Sequence, residues 1–202
     1  MKKKTGDIIT FEDRTWKGNL MWKHTRPKTR EIHGATLGDY IKELDDWVIM
    51  ETIISKQASV SLLRYHHVGE TYHIYRNNDP DIELKGEQIV AEFYKRARVP
   101  YDHEEIVRFA LYCVADLARG RYPLQPNKFA YWENGKMWCW ELVHEIRKAV
   151  GGAFIPADVR PSPWSAKRAQ IDGRIYEVED GHVLAVKDEV RGRLLIPNPV
   201  TM

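Results

Sequence analysis

The sequence predicts an α+β fold in which an antiparallel sheet packs against helices. The first half of the 202-residue chain contains short apolar segments separated by turn residues, which is typical of antiparallel strands. The second half contains longer segments whose apolar residues recur at helical spacing. The length fits one globular domain with a small appendage, and it is sufficient to bury a core.

The strands of the predicted sheet lie in the first half of the chain. A turn at residues 5–7 leads into a strand at residues 8–11, whereas residues 12–30 are polar and predict irregular structure. Further strands are predicted at residues 31–37, 47–54, 58–63 and 72–76. Gly38-Asp39 is expected to form the turn that ends the strand at residues 31–37.

The second half of the chain predicts three helices. The first covers residues 87–98, and the second runs from Asp102, a capping-box residue, to about residue 119. Cys113 lies on the apolar stripe of the second helix and is expected to pack in the core. The third helix starts near Cys139 and ends at Gly151-Gly152.

The C-terminal region predicts an extension of the main domain. A Pro-rich segment occupies residues 156–164, and alternating apolar residues between 171 and 196 predict two or three strands. Asp180-Gly181 is expected to be a hairpin turn within that region. The predicted organisation is therefore a main domain at residues 1–165 and a β-hairpin extension at residues 166–202 that packs on it.

The composition excludes several classes of protein. Lys and Arg number 31 and Asp and Glu 29, interleaved to a net charge of +2, so no nucleic-acid partner is expected. The basic stretch at residues 23–30 is expected to be a solvated loop. Two cysteines do not make a disulfide framework, and neither a metal nor another cofactor is predicted. The N-terminal Met-Lys-Lys-Lys is not followed by an apolar segment, and no run reaches the length of a membrane span, so a cytoplasmic protein is expected.

Cys139 differs from Cys113 because it lies at the start of its helix. The first backbone N–H groups of a helix have no partners within it, and the helix dipole adds positive charge there. Both effects favour a thiolate, and the same N–H groups can stabilise an oxyanion. The position of Cys139 is therefore typical of a nucleophile, although lone cysteines are more often structural.

A nucleophilic cysteine needs a base and a group that orients the base. Among eight histidines, His33 lies within a predicted strand beside small residues, which leave room for its ring. Glu51 lies in the middle of the next, strongly apolar strand, where a carboxylate is costly unless it is paired. His33 and Glu51 are the predicted pair, with a solvent-facing Glu51 as the alternative and His24 as the second candidate base.

Several short motifs, taken in order, resemble the NlpC/P60 superfamily of papain-like cysteine hydrolases. They read G-D-I-I-T-F at residues 6–11, H-G-A-T-L-G-D at 33–39, V-I-M-E-T at 48–52, Y-H-I-Y-R at 72–76, V-P-Y-D at 99–102, C-W-E-L-V at 139–143 and I-P-A-D-V at 155–159. Histidine precedes cysteine, which is the order of the circularly permuted branch of YiiX/YaeF-like proteins, related to the lecithin:retinol acyltransferases. The resemblance covers roughly residues 5 to 160 and implies a papain-like fold.

The resemblance implies a catalytic triad of Cys139 as nucleophile, His33 as base and Glu51 as orienting group. Trp140 stands where this family usually has serine, which leaves the substrate class open. Trp138 and Trp140 are predicted to contact substrate, together with Trp132 and Trp164 as walls of an apolar groove; core packing is the alternative for all four.

The predicted function is that of a cysteine hydrolase that cleaves an amide bond, such as an amidase or peptidase acting on cell-wall peptides. An esterase, thioesterase or acyltransferase that acts on lipid-like acyl groups is the first alternative. A non-catalytic structural or interaction protein of the same fold is the second. The expected partner is a peptide- or acyl-type substrate, and the sequence does not predict the oligomeric state.

Overall fold

The computed structural model describes residues 2–52, 58–66, 69–121 and 136–183 of the chain. Its strands are β1 (Ile8–Glu12), β2 (Glu31–Ile41), β3 (Asp46–Thr52), β4 (Ala58–Leu62), β5 (Thr71–Asn77) and β6 (Ile175–Val183). Its helices are α1 (Trp16–His24), α2 (Leu63–His66), α3 (Pro80–Glu83), α4 (Gly86–Lys95), α5 (His103–Ala118), α6 (Cys139–Lys148) and α7 (Pro163–Ile171).

The six strands form one sheet in the order β4-β3-β2-β1-β5-β6, and every neighbouring pair is antiparallel. β1 lies inside the sheet, where Ile8 pairs with Thr36 of β2 and with Tyr75 of β5. Together with the helices, this sheet confirms the predicted α+β class. Alternation along β1 places Ile8 and Ile9 in different clusters of the core, as expected for a strand covered on both faces.

Helix α6 packs across β2 and β3 and forms much of the core. Cys139, Trp140 and Val143 share one apolar cluster with Ile8 and Tyr75 of the sheet. Leu142 and Ile146 belong to a second cluster, with Met50 of β3 and Ile89 and Phe93 of α4. The helix is therefore buried over most of its circumference, and its first residue lies against the sheet.

Arg147 anchors α6 to the sheet through neutral groups. The guanidinium is fully buried and donates to the Gly6 carbonyl at 2.6 Å, the Val143 carbonyl at 2.8 Å and Thr36 Oγ1 at 3.0 Å. Burial lowers the pKa of Arg147 to about 9, and the carboxylate of Asp7 offsets part of this effect. These bonds fix the position of α6 relative to β1 and β2.

Two local predictions in the first half of the chain were wrong. Residues 12–30 contain α1, which begins after an extended Thr15 and packs so closely on the preceding loop that a Cβ on Gly18 would meet the Asp13 carbonyl. Gly38 and Asp39 lie inside β2, where the pairing with β3 is irregular. A bulge within a strand produces the same glycine signal as a turn.

The predicted C-terminal hairpin was also wrong. Residues 175–183 form one continuous strand that runs through Asp180-Gly181, because they pair with β5 from Thr71 to Asn77. Two shifts in register along this pairing absorb the irregular stretch. Helix α7, which precedes the strand, was not predicted, and residues 184–196 of the predicted strands lie outside the described residues.

Helix α5 follows its predicted bounds, but Cys113 is less buried than expected. Cys113 is half-buried, and Val107, Leu111 and Val114 are exposed. In the described parts of the chain, no helix has the length and apolar character needed to cross a membrane.

Candidate active site

Cys139 is the first residue of α6, and the local sequence places the helix start there. Trp138 has an extended backbone (φ −96°, ψ 176°), and its N–H donates to Glu141 Oε2 at 3.1 Å. A carboxylate in the first turn accepts a backbone N–H that would otherwise be unpaired, as in a capping box. Cys139 is 6% exposed, so its thiol lies at the surface of the core beside the helix N-terminus.

His33 and Glu51 are brought together by the antiparallel pairing of β2 and β3. Thr36 pairs with Met50, and His33 Nε2 lies 2.6 Å from Glu51 Oε2. The Glu51 side chain has no exposed surface, and that of His33 is 24% exposed. A fully buried carboxylate is stabilised by a cationic partner, and the imidazole of His33 supplies one.

The side chain of Cys139 lies close enough to His33 to interact with its ring. Nε2 of that ring faces Glu51. Burial by itself lowers the pKa of His33, but the charge and hydrogen bond of Cys139, followed by those of Glu51, raise it to about 10. Throughout the neutral range, His33 is therefore an imidazolium when the thiolate is present.

The structure thus joins all three predicted polar residues in one chain of contacts, from Cys139 through His33 to Glu51. The ring of His33 stacks on Phe11, its cross-strand neighbour, with 5.8 Å between centroids. The pairing of β1 with β2 shifts directly after these two residues, which marks a bulge beside the site.

Two other histidines, His144 and His24, occupy different positions from His33. His144 lies on α6, but it is buried edge-on against Phe154, and burial lowers its pKa to about 4. It is therefore neutral and serves as packing. His24 ends α1 and lies in the basic stretch.

The tryptophans predicted to contact substrate lie in the core. Trp140 is 1% exposed, covers Gly34 and donates from Nε1 to the Ile32 carbonyl at 3.2 Å. Trp138 and Trp164 are also buried, and Trp132 lies outside the described residues. Core packing is what the structure shows for Trp138, Trp140 and Trp164, and their contact with a substrate stays a prediction.

Four further residues, Tyr101, Asp102, Glu141 and Arg160, interact around the start of α6 and were not assigned a role from the sequence. Tyr101 is buried, and burial, followed by the negative charges of Cys139, Asp102 and Glu141, raises its pKa. Arg160 donates from Nη2 to Glu141 Oε1 at 3.1 Å. Tyr101 and Asp102 belong to the V-P-Y-D motif, which was a usable signal, whereas no motif marked Arg160.

Cys113 offers an internal comparison with Cys139. Burial and the charge of Asp116 raise the pKa of its thiol to about 11, so it is a thiol rather than a thiolate at neutral pH. It lies on α5, on a different helix from Cys139.

No protein-family model matches the sequence, and neither does any curated protein. The crystal structure of the metalloprotein YiiX from Escherichia coli O157:H7 has a similar fold. The two chains align with a TM-score of 0.57 and 13% sequence identity, over 89% of this chain and 98% of YiiX. The chain therefore has a YiiX-like fold.

The description of YiiX as a metalloprotein raises the question of a metal in this chain. In residues 2–52, 58–66, 69–121 and 136–183, no group of three or more His, Cys, Asp or Glu side chains is placed to hold a metal ion. The imidazole of His33 is instead engaged by Glu51 and Cys139. The described residues therefore do not fit a metal ion.

Proposed function

We propose that this protein is a cysteine hydrolase that cleaves an amide bond, with Cys139 as nucleophile, His33 as base and Glu51 as orienting group. The observation that carries the proposal is the position of His33 between its two partners, 2.6 Å from Glu51 and close enough to Cys139 for the two side chains to interact. A thiol at a helix N-terminus, a base in contact with it and an acid behind the base are the parts that nucleophilic catalysis requires.

The first half of the proposed reaction forms a thioester. The thiolate of Cys139 attacks the carbonyl carbon, and the carbonyl oxygen takes the electron pair of its double bond. The backbone N–H groups of the first turn of α6 are oriented to stabilise that oxyanion. When the C–N bond breaks, the leaving nitrogen takes a proton from His33, and the acyl group remains on sulfur.

The second half releases the acyl group to water. Neutral His33 removes a proton from a water molecule as its oxygen attacks the thioester carbonyl. The C–S bond then breaks, the carboxylic acid leaves, and thiolate and imidazolium are restored. Glu51 stabilises the imidazolium at both stages, and it holds the ring in place beside the sulfur.

The YiiX-like fold is consistent with a place in the circularly permuted NlpC/P60 branch, which we include in the proposal. The motif order carries that assignment, since the likeness to YiiX concerns the fold alone. The lipid-directed alternative rests on the lipid-handling relatives of the permuted branch and on an aromatic groove, and the burial of Trp138, Trp140 and Trp164 weakens the second of these supports. We place amide cleavage first and keep the lipid-directed activity as the alternative.

The test is hydrolysis of matched substrates by wild type, Cys139→Ala and His33→Ala. The panel contains muropeptides, fluorogenic peptide amides and fluorogenic acyl esters. We expect amide cleavage by the wild type with an acyl adduct on Cys139, no turnover by Cys139→Ala and a loss of about 10²- to 10⁴-fold in His33→Ala. Cys113→Ala is the matched control and should retain full activity.

Other outcomes of the panel distinguish the alternatives. Turnover of esters alone would favour the esterase or acyltransferase. Full turnover by Cys139→Ala would contradict the assignment of Cys139 as the nucleophile. Absence of any adduct on Cys139 with every substrate would favour the non-catalytic protein.

A further inference from the structure

Arg160 and Glu141 form a buried ion pair directly behind the nucleophile. Arg160 Nη2 donates to Glu141 Oε1 at 3.1 Å, and the two side chains are 3% and 6% exposed. Such a pair is costly to bury, and removal of one partner leaves an uncompensated charge in the core. Its location therefore calls for a physical explanation beyond stability.

The two oxygens of Glu141 have different partners. Oε1 binds the arginine, and Oε2 accepts the N–H of Trp138, the residue that precedes Cys139. Burial, together with the charges of Asp102 and Cys139, raises the pKa of Glu141, whereas the Trp138 N–H and the adjacent guanidinium of Arg160 favour the charged carboxylate. The carboxylate that caps α6 therefore depends on Arg160 for its balancing charge.

Arg160 also contacts the side chain of Trp138. Its guanidinium carbon lies 5.0 Å from the centroid of the Trp138 ring, and that ring donates from Nε1 to the Pro161 carbonyl at 3.0 Å. Burial lowers the pKa of Arg160 to about 10, and the charge of Asp102 opposes that effect. Residues 160 and 161 therefore hold the ring of Trp138 directly, and Arg160 acts on the backbone of Trp138 through Glu141.

We infer that Arg160 is a positioning residue for the nucleophile, acting through Glu141 and Trp138 to hold the first turn of α6 so that Cys139 faces His33. It also supplies the positive charge that balances Glu141 beside the thiolate. This inference rests on the proposed function, since it assigns Arg160 a role in presenting a reactive thiolate. It adds a residue that no motif of the sequence marked.

The test is the rate of alkylation of Cys139 by iodoacetamide between pH 5 and pH 10, followed by mass spectrometry of the intact chain and its peptides. In Arg160→Met, the Glu141 carboxylate loses its balancing charge. We expect the midpoint of the pH profile to rise by about one unit, which is tenfold in thiolate population below the midpoint. Arg160→Lys keeps the charge but loses the planar stacking, and it should show a smaller shift in the same direction.

A double variant separates positioning from general stability. Arg160→Met combined with Glu141→Gln removes both charges while the amide oxygen still accepts the Trp138 N–H, so the midpoint should return towards that of wild type. Arg168→Met, which breaks the exposed pair with Asp172 on α7, is the matched control and should leave the profile unchanged. If Arg160→Met does not fold, Glu141→Gln alone should move the midpoint to lower pH.

Two results would overturn the inference. One is a wild-type rate and midpoint in Arg160→Met, or in both Arg160→Lys and Glu141→Gln. The other is a midpoint that is raised in Arg160→Met and stays raised when Glu141→Gln is added to that variant. A wild-type protein in which Cys139 is no more reactive than Cys113 would instead contradict the proposed function, so the two failures are distinguishable.

Discussion

The smallest feature on which the site depends is a carboxylate without exposed surface. Glu51 lies inside a strongly apolar strand, and an isolated charge there would cost several kcal/mol. His33, on the adjacent strand, lies 2.6 Å from the Glu51 carboxylate and also interacts with Cys139. The pairing explains both the burial of the acid and the cationic state of the base.

The protonation of His33 makes stability depend on pH in a defined direction. Its pKa is raised from 6.5 to about 10 in the folded protein, so its stabilising contribution is fully present below about pH 6.5 and is lost as the pH rises through about 10. We expect the free-energy difference between wild type and His33→Gln, measured by urea unfolding, to shrink steadily over that range.

His144→Gln is the control for that experiment. Burial lowers the pKa of His144 to about 4, so it is neutral from pH 6 to pH 10 and its contribution should be constant. Equal pH dependence in the two variants would contradict the charged state assigned to His33.

Among the secondary-structure elements, the site depends most on the contact between β2 and α6. Gly34 lies beneath Trp140, and a Cβ at that position would come within 2.9 Å of the indole. The absence of a side chain allows the ring to cover the strand, and this close approach sets the distance between the helix that bears Cys139 and the strand that bears His33.

Gly34→Ala should therefore overpack the interface. We expect a loss of about 1–3 kcal/mol in the free energy of unfolding, together with slower alkylation of Cys139. In a Trp140→Phe background, the smaller ring leaves space and the cost of Gly34→Ala should fall. If urea unfolding shows that Gly34→Ala lowers the free energy of unfolding equally in both backgrounds, the contact between Gly34 and Trp140 does not constrain the strand.

Strands that alternate clearly could be predicted from the sequence, and those with non-local determinants could not. β1, β4 and β5 lie where the sequence places them, because a short apolar or alternating run bounded by turn residues identifies a strand. β6 was interpreted as a hairpin, since Asp180-Gly181 is a strong turn signal, but pairing with β5 overrides it. Helix α1 was missed because its sequence has no marked apolar periodicity.

At the scale of the whole molecule, the C-terminal elements belong to the sheet and core that carry the site. β6 extends the sheet at β5, and Ile175 lies in the same apolar cluster as Cys139. Ala166 and Ala169 of α7 are buried there too. The predicted division at residue 165 therefore passes through elements that share one core.

A chain truncated after residue 165 should not fold. Its loss of α7 and β6 exposes the edge of β5 and opens the cluster around Cys139. We expect an insoluble product, or one without a cooperative thermal transition. A chain truncated after residue 183 is the control, because it keeps α7 and β6. A cooperative transition in the 1–165 chain would support two separable units instead.

The candidate site could be predicted in part because nucleophile, base and acid each occupy a position with a physical signature. Cys139 starts a helix, His33 has small neighbours and Glu51 interrupts an apolar strand. Arg160 has no such signature, since its role depends on a contact with Glu141 that only the folded chain brings about. The tryptophans were ambiguous because large rings serve cores and binding surfaces alike.

The site depends on the interaction between the sulfur of Cys139 and the imidazole of His33, and an NMR titration of His33 tests that interaction. In wild type we expect the imidazole to stay protonated through neutral pH, with a pKa of about 10, and in Cys139→Ala we expect that pKa to fall because the largest favourable interaction is lost. The same titration curve for His33 in both proteins would contradict an interaction between the two side chains.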